Sequence, residues 1–246
     1  MYIGSKVEVL ERVDSTNEYL KNNANIYPDG AMVAAKVQTM GRGRFERKWI
    51  SDVIGNLYCS ILVKDVTWLK LATHLPIFMS VAVRRAIMSQ VGNASDAEIL
   101  FKWPNDIINL KGKCCGILIE AGENFFVIGI GLNIAKAPHV EGRMTTSLKD
   151  IFPTYKDLQP EHCMEVIKNT YNTAVKQYVQ EGFAPFKKEW EQFCSHINKK
   201  VALSEGIDDN TPQKRLVTFK HLNDDGGALV VDESGAESIV YYGEIV

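Results

Sequence analysis

The sequence predicts an α/β (α+β) protein in which a central mixed or mostly antiparallel sheet is backed by helices and followed by a small β module. Three observations favour this fold. Apolar residues recur at helical spacing through residues 163–193, and short apolar runs bounded by turn residues occupy residues 32–134. From Lys199 onward the chain changes to still shorter runs separated by Asp, Asn and Gly. We therefore expect one domain over residues 1–198 and an all-β domain over 199–246.

The first element is a short helix that begins after Ser15 and ends near Asn22. Ser15 and Glu18 have the spacing of a capping box, in which each side chain accepts a hydrogen bond from the backbone N–H of the other residue. Apolar runs then predict two strands and a helix, over residues 32–38, 57–63 and 76–91. Pro76 suits the first turn of that helix, where an N–H has no intrahelical partner.

The rest of the chain predicts a hairpin, a long strand, two helices and the strands of the β module. In order, these are a strand over 99–110 interrupted at Pro104, a turn at Lys111-Gly112, strands over 113–121 and 125–134, helices over 163–178 and 183–193, and short strands within 201–242. Gly129 and Gly131 leave room for another group to approach the backbone. Strand alternation places Lys113 with Cys115 and Ile117, on an apolar face where an ammonium is costly unless an anion meets it.

Composition excludes several classes of protein. With 28 Lys and Arg against 30 Asp and Glu, the chain of 246 residues has a formal net charge of -2 and lacks the basic excess of non-specific nucleic-acid binders. No apolar run is long enough to cross a bilayer and no signal peptide is visible, so we expect a cytoplasmic protein without membrane contact. The five cysteines contain no C-x-x-C pair and the five histidines are scattered, which predicts reduced thiols and no His-based metal site.

The largest electrostatic anomaly lies in residues 36–49. This segment carries five cations and one anion, five minus one giving a local +4, and its glycines alternate with arginines from residue 41 to residue 44. Guanidinium groups bind oxyanions bidentately, and glycine lets backbone amides approach them, so phosphates and carboxylates are the natural ligands. The alternatives are an RG-rich surface loop and a nucleic-acid contact, since no Walker A or dinucleotide-binding motif is present. We call residues 41–49 the arginine loop.

Two further segments carry candidate chemistry. Residues 102–106 (Lys-Trp-Pro-Asn-Asp) precede the predicted hairpin turn, and Lys113 follows it. Lys113 is a candidate ligand-facing cation, although a lysine beside a turn commonly extends its ammonium into solvent. Asn105 and Asp106 are candidate polar ligands, with turn formation after the proline as the alternative.

Together these segments resemble the catalytic domain of the biotin protein ligases, also called holocarboxylase synthetases. The matching segments are Asp14 to Asn17, Gln38, Gly41 to Arg44 with Arg47 and Trp49, Lys102 to Asp106, Lys113 with Gly116 to Leu118 and Glu120, and Gly129 to Asn133, in the family's order and spacing. The resemblance covers residues 9–193 and implies a catalytic domain followed by a small SH3-like β-barrel. Many family members carry Gly at the position of Glu46. Whether the loop of this chain closes as it does in those members is therefore an open question.

The resemblance implies a reaction in two steps. The carboxylate of biotin attacks the α-phosphate of ATP to give biotinyl-5′-adenylate and pyrophosphate, and a lysine ε-amine of a biotin carboxyl carrier domain then attacks the adenylate. ATP and Mg²⁺ are the implied cofactors, with Mg²⁺ held mainly by the phosphates. Two anions meet in the first step, so positive charge must be fixed between them, as the arginine loop and Lys113 would provide. The implied partner is the carrier domain of a biotin-dependent carboxylase, and a homodimer is left open.

The resemblance also assigns roles to individual residues. The catalytic set is Lys113, Arg42 and Asp106, and Asp106 is also the candidate Mg²⁺ ligand. The biotin-binding set is Ser15, Thr16, Asn17, Gln38, Gly41, Arg42, Gly43, Arg44, Lys113 and Gly116. The set for ATP and the adenylate is Arg42, Arg44, Arg47, Trp49, Lys102, Asn105 and Asn133. Ser15 would combine capping with ligand contact, and a buried anchor at the end of the loop is the alternative for Trp49.

Two other functions stay open as alternatives. A lipoate-protein ligase or octanoyl transferase shares the implied fold, but the Gly-Arg-Gly-Arg-x-x-Arg-x-Trp loop disfavours it. A nucleic-acid-binding module would use the arginine loop and the β module, but residues 199–246 contain five Lys or Arg and nine Asp or Glu, five minus nine giving -4. Some family members carry an N-terminal helix-turn-helix. The thirteen residues before Asp14 are too few for one, so we expect no nucleic-acid binding.

Overall fold

Most of the chain folds around a seven-stranded sheet. The computed structural model describes residues 2–45, 47–65, 67–68, 71–92, 99–154, 158–205 and 213–246, so the expectation about Glu46 lies outside the described residues. The strands of this sheet are β1 (Val7–Val13), β2 (Met32–Gln38), β3 (Leu57–Val63), β4 (Leu100–Lys102), β5 (Asp106–Asn109), β6 (Gly112–Ala121) and β7 (Phe126–Leu132). Their order is β1-β2-β3-β7-β6-β5-β4, with β1 and β2 parallel and the other pairs antiparallel. The predicted mixed, mostly antiparallel sheet is confirmed.

Helices cover both faces of this sheet. They are α1 (Thr16–Asn22), α2 (Leu75–Val91), α3 (Leu148–Ile151), α4 (Pro160–Glu181) and α5 (Ala184–Gln192). The main core contains Phe78, Tyr171 and Phe186 from α2, α4 and α5, all fully buried, and burial of such apolar area is the chief source of stability. On the opposite face, Leu20 of α1 packs with Val33 and Leu62 in a second, smaller cluster. No helix in the described part of the chain is long and apolar enough to span a membrane.

A second, five-stranded sheet follows α5. Its strands are β8 (Lys200–Glu205), β9 (Gln213–Leu222), β10 (Ala228–Asp232), β11 (Glu237–Val240) and β12 (Glu244–Ile245), in the antiparallel order β11-β10-β9-β8-β12. Leu203 and Phe219 of this sheet join the main core, where the Phe219 ring centroid lies 6.1 Å from that of Trp190. The α/β fold with a C-terminal β module is therefore confirmed, while the domain boundary between residues 198 and 199 stays a prediction.

Two regions differ from the prediction. The expected single strand over 99–110 is instead a pair, β4 and β5, in which Leu100 lies opposite Ile108. The chain reverses around Pro104, which lacks the N–H that a continuing strand would pair. The edge strand β1 has no counterpart in the prediction, because most of its residues are exposed or only partly buried and its apolar pattern is weak.

Candidate active site

A cavity opens on the face of the large sheet that carries α1. Most of the predicted site residues line it, namely Ser15, Thr16, Asn17, Gln38, Arg42, Gly43, Arg44, Arg47, Trp49, Asn105, Asp106, Lys113, Gly116 and Asn133. Other residues of the cavity wall come from β3, β7 and the C-terminal sheet, so distant parts of the chain meet at one place. The motifs that are dispersed in the sequence are brought together by the central strands of the sheet.

Two predicted residues, Gly41 and Lys102, do not line the cavity. A Cβ on Gly41 would overlap the Ser51 hydroxyl and the Trp49 carbonyl, so this glycine closes the base of the arginine loop. The backbone supports this position, since Trp49 N donates to the Gly41 carbonyl at 2.9 Å. Lys102 lies opposite Asp106 in the β4–β5 pair but outside the cavity wall.

Uncharged polar side chains form the floor of the cavity, next to the N-terminus of α1. Thr16 N and Thr16 Oγ1 donate to Oε1 of Gln38 at 2.8 and 3.1 Å. Ser60 Oγ lies 2.6 Å from Thr16 Oγ1 and 2.5 Å from Oδ1 of Asn17. The Asn17 amide nitrogen donates to a Glu120 carboxylate oxygen at 2.8 Å. Thr16, Asn17, Gln38 and Ser60 are at least nine-tenths buried, so their polar groups bind each other or a ligand.

Gly129 and Gly131 of β7 leave the space that Asn17 and Trp49 occupy. A Cβ on Gly129 would overlap the Asn17 side chain, and a Cβ on Gly131 would stand 2.5 Å from the Trp49 ring, inside the 3.0 Å limit of real Cβ contacts. A Cβ on Gly116 of β6 would stand 2.9 Å from the same ring. The expectation that another group approaches the backbone closely at Gly129 and Gly131 is confirmed.

Lys113 directs its ammonium toward the cavity. Its Nζ lies 2.6 Å from a carboxylate oxygen of Asp106 and 5.2 Å from the centre of the Trp49 ring. A Cβ on Gly116 would stand 3.0 Å from the same nitrogen. The ammonium therefore has an anion beside it, and a cation is fixed where the floor of the cavity meets the arginine loop.

The predicted grouping of Lys113 with Cys115 and Ile117 is wrong. Ile107 lies opposite Cys115, but Ile108 lies opposite Lys113, so Cys114 is an extra residue in β6. Such a bulge reverses the alternation of side chains on one side of it. Cys115 and Ile117 belong to the main core, whereas the Lys113 side chain lies on the other face.

Arg42 lies between two carboxylates at the mouth of the cavity. Its Nη1 is 2.7 Å from Glu18 and its Nη2 is 3.3 Å from Glu120, and Lys21 adds a second cation at 3.7 and 3.5 Å from the same two groups. The predicted capping box is only half formed, because Ser15 accepts from Glu18 N at 3.4 Å while the Glu18 carboxylate turns to Arg42. A ligand anion at Arg42 must share the guanidinium with these carboxylates.

The other two arginines of the loop contact the C-terminal sheet. Arg44 donates to the Gly243 carbonyl at 2.8 Å, and Arg47 lies 2.6 Å from the Glu244 carboxylate. Burial lowers the pKa of Arg44, while Asp106 and Glu244 act in the opposite direction. Since an arginine keeps its proton in proteins, this partly dehydrated charge is available to a ligand anion.

Two buried polar atoms at the cavity have no hydrogen-bond partner within the described part of the chain. They are the indole nitrogen of Trp49 and Oδ1 of Asn133. Asn133 Nδ2 donates to the Thr146 carbonyl at 3.2 Å, which leaves the amide oxygen as an unused acceptor. An unsatisfied buried polar group costs about 1–3 kcal/mol. A ligand that forms hydrogen bonds with these two atoms removes this cost and therefore binds more tightly.

Several residues at the cavity were not predicted as site residues. Ser60 is one; it lies behind the cavity floor in contact with Thr16 and Asn17, and a hydroxyl inside the largely apolar strand β3 is the signal that identifies it. Glu120 supports Asn17 from behind the cavity wall, and Glu244 and Arg143 line the cavity itself. No local pattern marks Glu244 or Arg143, because the contact between the arginine loop and the C-terminal sheet exists only in the folded protein.

Among the described residues, the cavity has neither a reactive thiol nor a group of side chains typical of a metal centre. Burial raises the pKa of Cys59 to about 12 and that of Cys115 well above its ordinary value, so both thiols stay protonated. Among the residues that the structure describes, no group of three or more His, Cys, Asp or Glu side chains could hold a metal ion. The chemistry available at the cavity is that of fixed cations beside a neutral polar floor.

Comparisons with known proteins agree with this arrangement. A model of the biotin/lipoate A/B protein ligase family matches residues 9–134, which is half of the chain. The bifunctional ligase/repressor BirA of Escherichia coli is 28% identical over 237 residues, 94% of this chain and 71% of that protein. The biotin–[acetyl-CoA-carboxylase] ligase of Paracoccus denitrificans is 27% identical over 245 residues, 96% of this chain and 98% of that protein.

Solved structures extend the likeness to the whole fold. Biotin protein ligase from Aquifex aeolicus in complex with biotin and ATP is 26% identical, with a TM-score of 0.81 over 99% of this chain and 98% of that one. The matched family segment contains the motifs that line the floor and the mouth of the cavity. This chain belongs to the biotin/lipoate A/B protein ligase family.

Proposed function

We propose that this chain is an ATP-dependent biotin protein ligase, which activates biotin as biotinyl-5′-adenylate and transfers it to a lysine of a carrier protein. The observation that carries the proposal is the continuity of one cavity from a neutral polar floor at Asn17 and Gln38 to the cations Lys113 and Arg42. Biotin is complementary to both regions, because its neutral cyclic urea suits the polar floor and its carboxylate suits the cations. The names of the relatives support the same reaction, and the Aquifex structure holds both biotin and ATP.

In the first step, an oxygen of the biotin carboxylate forms a bond to the α-phosphorus of ATP. The bond from that phosphorus to the bridging oxygen breaks, and pyrophosphate leaves with the electron pair. Lys113 would stabilise the negative charge that develops on the oxygens between the two reactants, and Asp106, 2.6 Å away, holds the ammonium in place. Arg42 and Arg44 would bind the carboxylate and phosphate oxygens bidentately.

In the second step, a carrier lysine amine attacks the acyl carbon of the adenylate. An amide C–N bond forms, the bond from the acyl carbon to the phosphate oxygen breaks, and AMP leaves. The amine must lose a proton, and Asp106 is the candidate acceptor because its carboxylate lines the cavity beside the Lys113 ammonium. Lys113 would remain on the acyl oxygen and stabilise the tetrahedral intermediate.

The nucleotide would lie between the arginine loop and β7. Oδ1 of Asn133, a buried acceptor without a described partner, suits the adenine amino group, and Trp49 offers an aromatic surface for the base. A Mg²⁺ ion would arrive with the ATP phosphates and neutralise part of their charge. Asp106 is a single carboxylate that is already paired with an ammonium. It would therefore add one ligand to an ion held mainly by the phosphates, and would not form a protein metal site by itself.

The remaining parts of the proposal concern the whole protein. The carrier would be the biotin carboxyl carrier domain of a biotin-dependent carboxylase, as the name of the Paracoccus relative implies. The catalytic domain would span residues 1–198 and the β module residues 199–246. A homodimer, a cytoplasmic location and the absence of nucleic-acid binding stay predictions.

Biotin-dependent exchange of labelled pyrophosphate into ATP tests the proposed function directly. We expect exchange with biotin and none without it, because the first step is reversible and needs only the adenylation site. Lipoate or octanoate in place of biotin should support no exchange above background. Exchange driven by lipoate but not by biotin would assign the chain to the alternative members of its family.

We expect the arginine loop to be mobile without ligand and ordered when the adenylate fills the cavity. Trypsin should then cleave after Arg42, Arg44 or Arg47 several-fold faster in the free protein than with biotin and ATP, a factor of about five at least. Glu244→Gln, which removes the carboxylate 2.6 Å from Arg47, should speed cleavage of the free protein. Glu237→Gln, on the exposed edge strand β11, is the matched control. Equal cleavage with and without ligand would contradict loop ordering.

A further inference from the structure

We infer that Glu120 is a positioning residue that fixes which hydrogen-bonding groups the cavity floor offers to the substrate ring, an inference that rests on the proposed function. Its side chain is only 15% exposed. One carboxylate oxygen accepts from Asn17 Nδ2 at 2.8 Å. The other lies 3.5 Å from Lys21 and 3.3 Å from Arg42. Glu120 is not among the residues that line the cavity, so it acts through Asn17.

The carboxylate selects one of the two orientations of the Asn17 amide. An ionised carboxylate only accepts hydrogen bonds, so the amide atom that faces Glu120 must be the nitrogen. The amide oxygen then faces the Ser60 hydroxyl at 2.5 Å. An amide oxygen carries no proton, so the proton in this contact comes from Ser60. The second N–H of the Asn17 amide is directed to the Leu118 carbonyl at 3.5 Å, so Asn17 offers an acceptor, and no free donor, to a ligand on the floor.

The hydrogen-bond donors and acceptors of Thr16 and Gln38 can be assigned in the same way. Thr16 Oγ1 donates its only hydroxyl proton to Gln38 Oε1 at 3.1 Å, so it accepts at its 2.6 Å contact with Ser60, whose proton is shared between Thr16 and Asn17. Gln38 Oε1 accepts from Thr16 N at 2.8 Å, which leaves the NH₂ group of Gln38 as the donor available to a ligand. All of these groups except Glu120 are almost fully buried, so water does not offer an alternative set of partners.

The floor thus presents an acceptor at Asn17 and a donor at Gln38. A cyclic urea has the complementary pattern, since its ring N–H groups donate and its carbonyl accepts. In a ring where a protonated imine replaces the carbonyl, the imine N–H groups would face the NH₂ group of Gln38, so that two donors would oppose each other. A buried site that is built to pair polar groups discriminates strongly against a ligand that leaves them unpaired.

Glu120→Gln tests this role, because a neutral amide can turn either its oxygen or its NH₂ toward Asn17. The measurement is the Kd of biotin and of 2-iminobiotin, the cationic guanidino analogue, by titration calorimetry on the full chain without nucleotide. We expect the wild-type protein to prefer biotin, and Glu120→Gln to weaken biotin about ten-fold but the analogue less, so that the preference falls. Loss of a nearby negative charge alone would weaken the cationic analogue more, which is the opposite result.

Glu18→Gln is the matched control, because the Glu18 carboxylate also pairs with Arg42 but makes no hydrogen bond to the Asn17 amide in the described structure. The ratio of the two Kd values should stay at the wild-type value in this variant. An equal loss for both ligands, or an unchanged biotin Kd, in Glu120→Gln would overturn the inference. If that variant does not fold, Glu120→Asp keeps the charge but shortens the reach to Asn17, and it should also lower the preference. A wild-type protein that binds no biotin would instead overturn the proposed function.

Discussion

Replacement of Lys113 with alanine is expected to lower kcat for biotin-dependent pyrophosphate exchange by about 10²- to 10³-fold. The ammonium of Lys113 lies close to both Gly116 and the Trp49 ring, where the floor of the cavity meets the nucleotide side. Two anions must react there, and a fixed charge needs no rearrangement at the moment of reaction. Binding of biotin should change less than kcat, because its ring is held by the neutral floor.

Two control variants separate a catalytic role of Lys113 from an indirect loss of activity. Lys111→Ala removes a lysine two positions away whose ammonium bonds to the Asp150 carbonyl, and it should keep the wild-type rate. The double variant Lys113→Ala/Asp106→Asn removes the carboxylate that Lys113 leaves behind, and we expect it to stay slow. Recovery in the double variant would show that the uncompensated Asp106 charge caused the loss. A kcat for Lys113→Ala within three-fold of wild type would remove Lys113 from the mechanism.

The fold was predictable where a single element carries its own pattern. The helix α4 and the strands β2 and β3 have apolar residues at the right period and clear ends, and their bounds match the expected ones closely. The hairpin of β4 and β5 was not predictable, because a proline can interrupt a strand or reverse the chain and the sequence does not distinguish the two. Edge strand β1 lacks a buried face of its own, so its pattern is weak.

The candidate site was predictable as a set of residue types but not as a geometry. The arginine loop and the polar residues at the start of α1 are local motifs, and the sheet brings most of them to one cavity. The face on which Lys113 lies depends on a bulge at Cys114, which strand alternation alone cannot reveal. The partners of Arg47 and Asn17 come from residues far away in the sequence, Glu244 and Glu120, so only the folded chain identifies them.

Gly129→Ala and Gly131→Ala are expected to damage binding of different substrates, although the two glycines are separated by one residue on β7. A Cβ on Gly129 overlaps the Asn17 side chain, which Ser60 and Glu120 hold in place. Asn17 must then leave its position, and a displacement of about 1 Å in a positioning group can cost 10²-fold. We expect the KM for biotin to rise about 100-fold in Gly129→Ala, with a much smaller change in the KM for ATP.

In Gly131→Ala the added Cβ would stand 2.5 Å from the Trp49 ring, so the ring must move and the adenine would lose its stacking surface. Stacking of a base on an aromatic side chain is worth about 1–3 kcal/mol, which predicts a rise of about five- to 150-fold in the KM for ATP and little change for biotin. Alanine suits an extended strand better than glycine does, so thermal unfolding should show both variants folded. Each variant is the other's control, since equal effects on both substrates would mean that the strand, and not the two contacts, had been disturbed.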